Sequence, residues 1–443
     1  MKTKEKWIAV HPKNCAPVKI GTYSLQMIDA RNEDPDVLVN MPGFNNRPND
    51  KSIAVCIEAT FDCTMRCKYC FMNEDETYLA RSGNMDIRTV IDYLRRFAPA
   101  DKYELISISY MGGEPTMNMD LLVRVRDYVR KTYKRSTFGL TTNATRFGVK
   151  MKDATTLNLN PKLTDLTIGQ WLAVSGHSIT LSLDGPKEVH DSQRVFCNGT
   201  GTFDVIMDGL RALKETHPQF VANIGFRATL TDGFDTCSVK ERLQFFHALS
   251  KEGIGHGVHF ESNSKPGGDR ADLLSIMEDQ YYEAADWVIE RAKAGDFVSW
   301  RDVTVRPLRR LLTRKPICYS CGAGCGYLTL GIDGEVYACH RTNGAQIGSM
   351  KEGFNSEQLA KWGDRTVMYQ IPCSSCALRY LCGANCRAAN LSETGDLRTV
   401  SENSCGMKMI RMMVAVKMML SLHKDELLKL CEIKEGKPNE TNC

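Results

Sequence analysis

The sequence predicts an α/β protein built on a parallel sheet. Between residues 52 and 263, runs rich in β-branched and aromatic residues alternate with stretches whose apolar residues recur three and four apart. Strand followed by helix, repeated, gives parallel strands joined by crossover helices. A second observation sets the rest of the chain apart: cysteines crowd into residues 318–405, after the alternation has ended.

Taken in order, residues 1–51 mix short apolar runs with Pro and Asn and read as strands or a hairpin followed by a linker (MPGFNNRPND). Six strands follow, at 53–60 (IAVCIEAT), 104–112, 138–143, 178–185, 221–231 and 256–262. Between them, 87–97, 119–133 and 203–215 have the spacing of amphipathic helices. Residues 144–165 are too long and polar for a plain connection and read as a surface insertion. A helical stretch at 271–295 leads to the cysteine-dense region. The Met-rich segment MIRMMVAVKMMLSLHKDELLKLCE reads as a packed helix whose methionines fill gaps, the alternative being a peptide-binding surface. The last dozen residues read as a polar, mobile end. The expected division is 1–51, an N-terminal extension; 52–263, the strand–helix domain; 264–317, a helical bridge; 318–410, the cysteine-dense domain; and 411–443, a C-terminal helix and tail.

A chain of 443 residues suggests two or three folding units. Its 42% hydrophobic and 25% charged content is that of an ordinary soluble protein. A net charge of +4 leaves no footprint for nucleic acid, which needs clustered Lys and Arg. The start has no apolar core for a signal peptide, and no apolar run is long enough to span a bilayer. With 18 cysteines and no export signal, reduced thiols holding metal in the cytoplasm are expected, in anaerobic or oxygen-sheltered life.

The most informative run is Cys63-Thr-Met-Arg-Cys67-Lys-Tyr-Cys70, just after the first strand. Four thiolates close a [4Fe–4S] cluster, so three leave one iron open to an outside ligand. An open iron can bind and reduce a small molecule. The competing reading is structural zinc, which normally takes closed pairs with a fourth ligand nearby.

This CxxxCxΦC run, with Tyr69 before its last cysteine, resembles the signature of the radical S-adenosylmethionine (SAM) enzymes. The resemblance implies a partial (β/α)6 TIM-like barrel with Cys63, Cys67 and Cys70 at its C-terminal mouth. It also implies that the open iron chelates SAM and that the reduced cluster cleaves it to a 5′-deoxyadenosyl radical. Gly112-Gly113-Glu114-Pro115 ends the second strand and resembles the GGEP motif, whose backbone and carboxylate bind the SAM ammonium. Thr142-Asn143 ends the third strand like the family's TNG turn, with Ala144 where glycine is usual. Ser182 and Asp184 end the fourth, the serine placed by the resemblance near the SAM carboxylate or ribose, Asp184 either touching ligand or capping a turn. An arginine should pair the SAM carboxylate, and Arg194 and Arg227 are the two candidates; either could instead be a structural ion pair.

The later cysteines, Cys321, Cys339, Cys373, Cys376, Cys382, Cys386 and Cys405, are similar to the seven-cysteine pattern of the SPASM domain, which holds two auxiliary [4Fe–4S] clusters. Asp333-Gly334 is a strong hairpin turn between GYLTLGI and EVYACH. Eight thiolates are needed, and Cys318 and Cys325 compete for the eighth place. By family analogy the nearer cluster takes Cys321, Cys339, Cys386 and one of those two, and the distal cluster takes Cys373, Cys376, Cys382 and Cys405. Zinc knuckles are the alternative.

The resemblance implies SAM and three [4Fe–4S] clusters as cofactors, an electron donor such as flavodoxin or ferredoxin, and a ribosomal precursor peptide or protein as substrate, with neither nucleic acid nor membrane as partner. In the sulfatase-maturing branch the cysteine after the glycine turn precedes an acidic base. Here Cys339 precedes His340 and Arg341, which looks more like the peptide cross-linking branch. The favoured reading is a peptide maturase forming a thioether or carbon–carbon cross-link. His340 is either its base or a hydrogen-bonding neighbour of the cluster. A sulfatase-maturase-like enzyme is the alternative, and a non-catalytic zinc or iron–sulfur scaffold the alternative of another class.

Overall fold

The computed structural model describes residues 7–9, 17–19, 51–70, 72, 82–231, 237–262, 270–313, 317, 319, 321–342, 345–363 and 366–433. Cys318, the expected linker at 41–50 and the last ten residues lie outside them, as do Cys15 and Cys443. The chain forms two compact units, one of Arg47–Asn263 with Gly322–Asp364, the other of Met1–Asn46, Ser264–Cys321 and Arg365–Cys443. In the latter unit, β1 (Trp7–Ala9) and β2 (Pro17–Lys19) pair antiparallel, the hairpin expected near the N-terminus.

The unit around Arg47–Asn263 is organised by an open sheet. Six parallel strands run in chain order: β3 (Ser52–Thr60), β4 (Leu105–Gly112), β5 (Arg135–Thr142), β6 (His177–Ser182), β7 (Gly225–Leu230) and β8 (Val258–Ser262). The sheet does not close: β8 is its last strand, so the partial barrel is the architecture found. Helices α1 (Ile87–Phe97), α2 (Met119–Thr132), α3 (Ile168–Ser175), α4 (Lys187–Gln193), α5 (Phe203–Thr216) and α6 (Val239–Lys251) fill the crossovers. Local chemistry starts them. Asp86 accepts from the Arg88 and Thr89 amides to open α1, and Ser238 with Glu241 forms a capping box on α6. Where the sequence extends a strand over 221–231, Pro218 at the first position of a short helix, Pro218–Ala222, takes the leading residues and β7 begins at Gly225. The expected insertion at 144–165 holds two single-turn helices, Met151–Ala154 and Pro161–Thr164.

Strand alternation gives the sheet two unlike faces. Along one, Tyr110, Leu140 and Ile179 align in register, as do Leu181, Phe226 and Val258, all buried. Phe226 of this face packs 5.0 Å from Phe246 of α6. The other face carries a polar row: Thr141 beside Thr180, Ser182 beside Arg227 and His259, Thr229 beside Glu261. A sheet apolar toward its helices and polar within is what a ligand-holding half-barrel needs.

The other edge has an unexpected completion. Strand β9 (Tyr327–Leu330), from the cysteine-dense region, pairs parallel with β3 from Ala54↔Tyr327 to Ile57↔Leu330. Asp333-Gly334 then turns the chain, with Gly334 at φ +79°, into β10 (Glu335–Tyr337). Antiparallel β11 (Gln346–Ser349) and β12 (Gly353–Phe354) follow. The predicted hairpin forms, and its first strand satisfies the backbone groups along the edge of β3.

In the other unit, α7 (Arg270–Lys293) packs against α8 (Glu402–Ser421), followed by α9 (Lys424–Leu430). A Cβ at Gly406 would lie 2.7 Å from Leu274 Cδ1, so glycine sets the closeness of that crossing. Met407, Met412 and Met418 are buried, which favours the packed-helix reading of the Met-rich segment. Buried Asp302 takes the Tyr281 hydroxyl at 3.0 Å and pairs Arg411 at 3.0 Å. No helix among the described residues is long and apolar enough to cross a membrane.

Candidate active site

Cys63, Cys67 and Cys70 stand half-buried on the loop leaving β3. The loop is pinned from behind: the Arg66 amide donates to Val195 O at 2.8 Å and the Lys68 amide to Gln193 O at 3.0 Å. The three thiols lie within electrostatic reach of one another. Burial first, then the charges of Glu114, Cys67 and Cys70, pushes the Cys63 thiol up to about 12. Burial likewise raises Cys67, against the pull of Arg194.

The Gly-Gly-Glu turn ending β4 holds this loop. Gly113 N donates to Thr60 O at 2.8 Å and Glu114 N to Asp62 O at 2.7 Å. A Cβ at Gly112 would lie 2.1 Å from Thr60 O, and one at Gly113 2.3 Å from Asp62 O. The backbone approaching these glycines is thus the protein's own. Glu114 is buried and ties β4 to β5. Its Oε1 accepts from the Thr116 amide (3.1 Å), Thr116 Oγ1 (2.7 Å) and Thr142 Oγ1 (2.7 Å), and its Oε2 from the Asn143 amide (2.8 Å). Burial raises its pKa, so a cation beside Oε2 would be welcome there. Asn143 Nδ2 reaches 3.7 Å from Cys63 Sγ and 3.3 Å from Thr64 Oγ1. Ala144, in the place of the usual glycine, adopts φ +60°.

Asp184 is a second buried hub. Its Oδ2 accepts from the Tyr69 hydroxyl (2.6 Å) and Arg194 Nε (2.9 Å), and its Oδ1 from the Thr229 amide (2.9 Å). Arg242 Nη1 donates to its carbonyl at 2.6 Å. Arg194 and the backbone amide hold its carboxyl below the usual range despite burial.

Farther along the polar row, Arg227 Nη1 donates to Glu261 Oε1 at 2.6 Å and Arg341 Nη1 to Glu261 Oε2 at 3.0 Å, with His259 Nε2 3.5 Å from Oε1. His340 Nδ1 lies 2.8 Å from the Tyr327 hydroxyl, and burial holds the imidazole down at about 4. Ser182 and Arg227 are register partners, while Arg194 belongs to the Asp184 network. The sequence reading missed Glu261 and Tyr327; the alternation in HGVHFES, which puts His259 and Glu261 on one strand face, could have found the first.

In the other unit, Cys373, Cys376, Cys382 and Cys405 are brought together. Burial, then the charges of Cys382, Cys405 and Cys376, pushes Cys373 up to about 12. Burial, then Cys382 and Cys376, raises Cys405, and Lys408 opposes both shifts. Val367, Tyr380 and Ala384 form the core under this cluster. A Cβ at Gly383 would lie 2.3 Å from Ile317 Cδ1, so the turn after Cys382 requires glycine. Cys386 and Cys321 belong to the same unit, Cys325 and Cys339 to the unit of the sheet.

These donor sets fit iron–sulfur clusters. Thiols that raise one another's pKa are poor ligands until a cationic core sits among them. Among the described residues no three His, Cys, Asp or Glu side chains converge on one ion. A cubane needs no such point, because each thiolate binds its own iron.

Residues 57–246 match the profile of the Radical SAM superfamily. With the open α/β sheet and the cysteine loop after its first parallel strand, this identifies a radical SAM domain in the chain. A cysteine-type anaerobic sulfatase-maturating enzyme of Clostridium novyi (strain NT) is 23% identical over 361 residues, 76% of this chain and 88% of its own. The radical SAM cyclopropyl synthase TigE of Paramaledivibacter caminithermalis is 24% identical over 374 residues, 80% and 71%. The solved structure of native anSMEcpe with bound AdoMet and Cp18Cys peptide has a TM-score of 0.61 at 19% identity, covering 83% of this chain and 98% of that one.

Proposed function

We propose that this chain binds SAM at a [4Fe–4S] cluster held by Cys63, Cys67 and Cys70, and abstracts hydrogen from a ribosomally made peptide, forming a thioether or carbon–carbon cross-link. The observation that carries the peptide-maturase reading is the segment after Cys339, where His340 and Arg341 stand in place of an acidic base. The cofactors, when bound, supply reductive cleavage of SAM to a carbon radical; the protein binds, orients and shields. Glu114 Oε2 faces the SAM ammonium in this reading, and Ser182 or Arg227 the carboxylate end. His340 and the Glu261 cluster line the polar face on which a peptide would lie. Two auxiliary clusters, one on Cys373, Cys376, Cys382 and Cys405, would take up the substrate's remaining electron. The electron donor is a flavodoxin or ferredoxin, and the compartment the cytoplasm.

A second reading, formylglycine formation, is favoured by the sulfatase-maturating relatives. One experiment separates the two. Reduced, cluster-loaded enzyme is incubated with SAM and either a short peptide encoded beside its gene or a Cys- or Ser-containing sulfatase peptide. Loss of two hydrogens without a hydrazide-reactive aldehyde in the first peptide supports cross-linking. An aldehyde in the second supports the sulfatase reading. 5′-Deoxyadenosine in neither case sinks both.

A further inference from the structure

We propose that Arg194 is a positioning residue that holds a fixed positive charge against Cys67 and raises the reduction potential of the cluster there, leaving the SAM carboxylate to other groups. The inference rests on the reading that Cys63, Cys67 and Cys70 hold that cluster.

Arg194 is buried, 8% exposed, and its surroundings belong to the cysteine loop and its supports. Nε is engaged by Asp184 Oδ2 at 2.9 Å. The guanidinium lies 5.2 Å from the centroid of the Tyr69 ring, and Tyr69 itself donates to the same Asp184 oxygen. Nη1 stands 4.0 Å from Cys67 Sγ. The backbone is fixed as well: Arg194 N donates to His190 O at 2.8 Å, and Arg194 O accepts from Thr202 Oγ1 at 2.9 Å. A side chain held on an anion, a ring face and a thiol has little freedom left to reach a ligand.

The charges around the loop are therefore uneven. Cys63 receives neutral donors, the Met65 amide at 3.4 Å and Asn143 Nδ2 at 3.7 Å. Cys67 receives a cation, the Arg194 guanidinium with Nη1 4.0 Å from its Sγ. Reduction adds one negative charge to a cluster, and a nearby fixed cation in a buried setting stabilises the reduced form. The carboxylate of Asp184 keeps Arg194 from turning away, and Tyr69 links that arrangement to the loop.

The test uses holoenzyme purified anaerobically, with Arg194→Gln and Arg194→Lys. The SAM-binding cluster is followed by the EPR signal that SAM perturbs, during a redox titration; iron content and SAM affinity by anaerobic calorimetry are read in parallel. For Arg194→Gln the reduced-to-oxidised ratio at a fixed potential should fall about tenfold, equivalent to about 59 mV for a one-electron couple, with SAM affinity close to wild type. Arg194→Lys, which keeps the charge, should recover most of the ratio, and it carries the test if the glutamine variant loses its iron. A wild-type potential with weakened SAM binding in either variant overturns the proposal and returns Arg194 to the SAM carboxylate. Failure of the parent reading looks different: the wild-type protein itself would then show no SAM-responsive cluster signal.

Discussion

The two cysteine clusters solve opposite problems. On the loop after β3, three thiols come from eight consecutive residues, and other elements close in around them: the Gly-Gly-Glu turn from β4, Asn143 from β5, Asp184 and Arg194 from beyond β6. In the other unit, four thiols are gathered from residues 373–405, with Lys408 beside them. Three thiolates on a scaffolded loop leave an iron for chemistry; four complete a coordination shell. On the proposed assignment, the surrounding elements orient the first site, and the fourth thiol closes the second.

The sharpest way to break that contrast is to remove thiols from each side. Cys63→Ala, Cys67→Ala or Cys70→Ala should abolish 5′-deoxyadenosine formation and remove about four irons per chain, measured by chromatography and iron assay. Cys376→Ala should also remove about four irons yet leave SAM cleavage detectable; equal loss of deoxyadenosine from both classes would erase the distinction. Next in size, Asp184→Ala strands the buried Arg194 charge and should cost about 3–5 kcal/mol in anaerobic denaturant unfolding; a change below about 1 kcal/mol, the scale of an exposed pair, would show that the hub is not structural. Core truncation at Phe246→Ala, on the far side of the sheet, should cost about 3–5 kcal/mol without altering the SAM-responsive EPR signal. The smallest effect is a gain: Ala144→Gly relieves a left-handed φ and should raise stability by about 1 kcal/mol, seen as a higher urea midpoint with an unchanged slope.

Much of the scaffold was legible because its signals are local. The six parallel strands form in the segments where alternation put them, β7 shortened at its start, and three crossover helices, over 87–97, 119–133 and 203–215, were readable from apolar spacing. The thiol triad was legible because its spacing lies within one loop. What escaped was non-local. The pairing of Ala54 with Tyr327, the convergence of Arg227 and Arg341 on Glu261, and the ties of Asp184 to Tyr69 and Thr229 join residues whose sequence neighbourhoods carry no mark of each other. Gly112 and Gly113 were recognisable as turn residues; that Thr60 and Asp62 are what crowd them could be learned only from the fold.

The addition of β9 to β3 has a practical consequence. Residues 57–246 delimit what a sequence profile recognises, yet the hydrogen bonds along β3 are completed by a strand some 80 residues past that limit, beginning at Tyr327. A fragment trimmed to the profile would lose Ala54–Cys56 of β3 as well as β9, cutting short the strand that leads into the cysteine loop and leaving the sheet without its proper edge. Expression designs for this enzyme should keep the chain intact through Phe354.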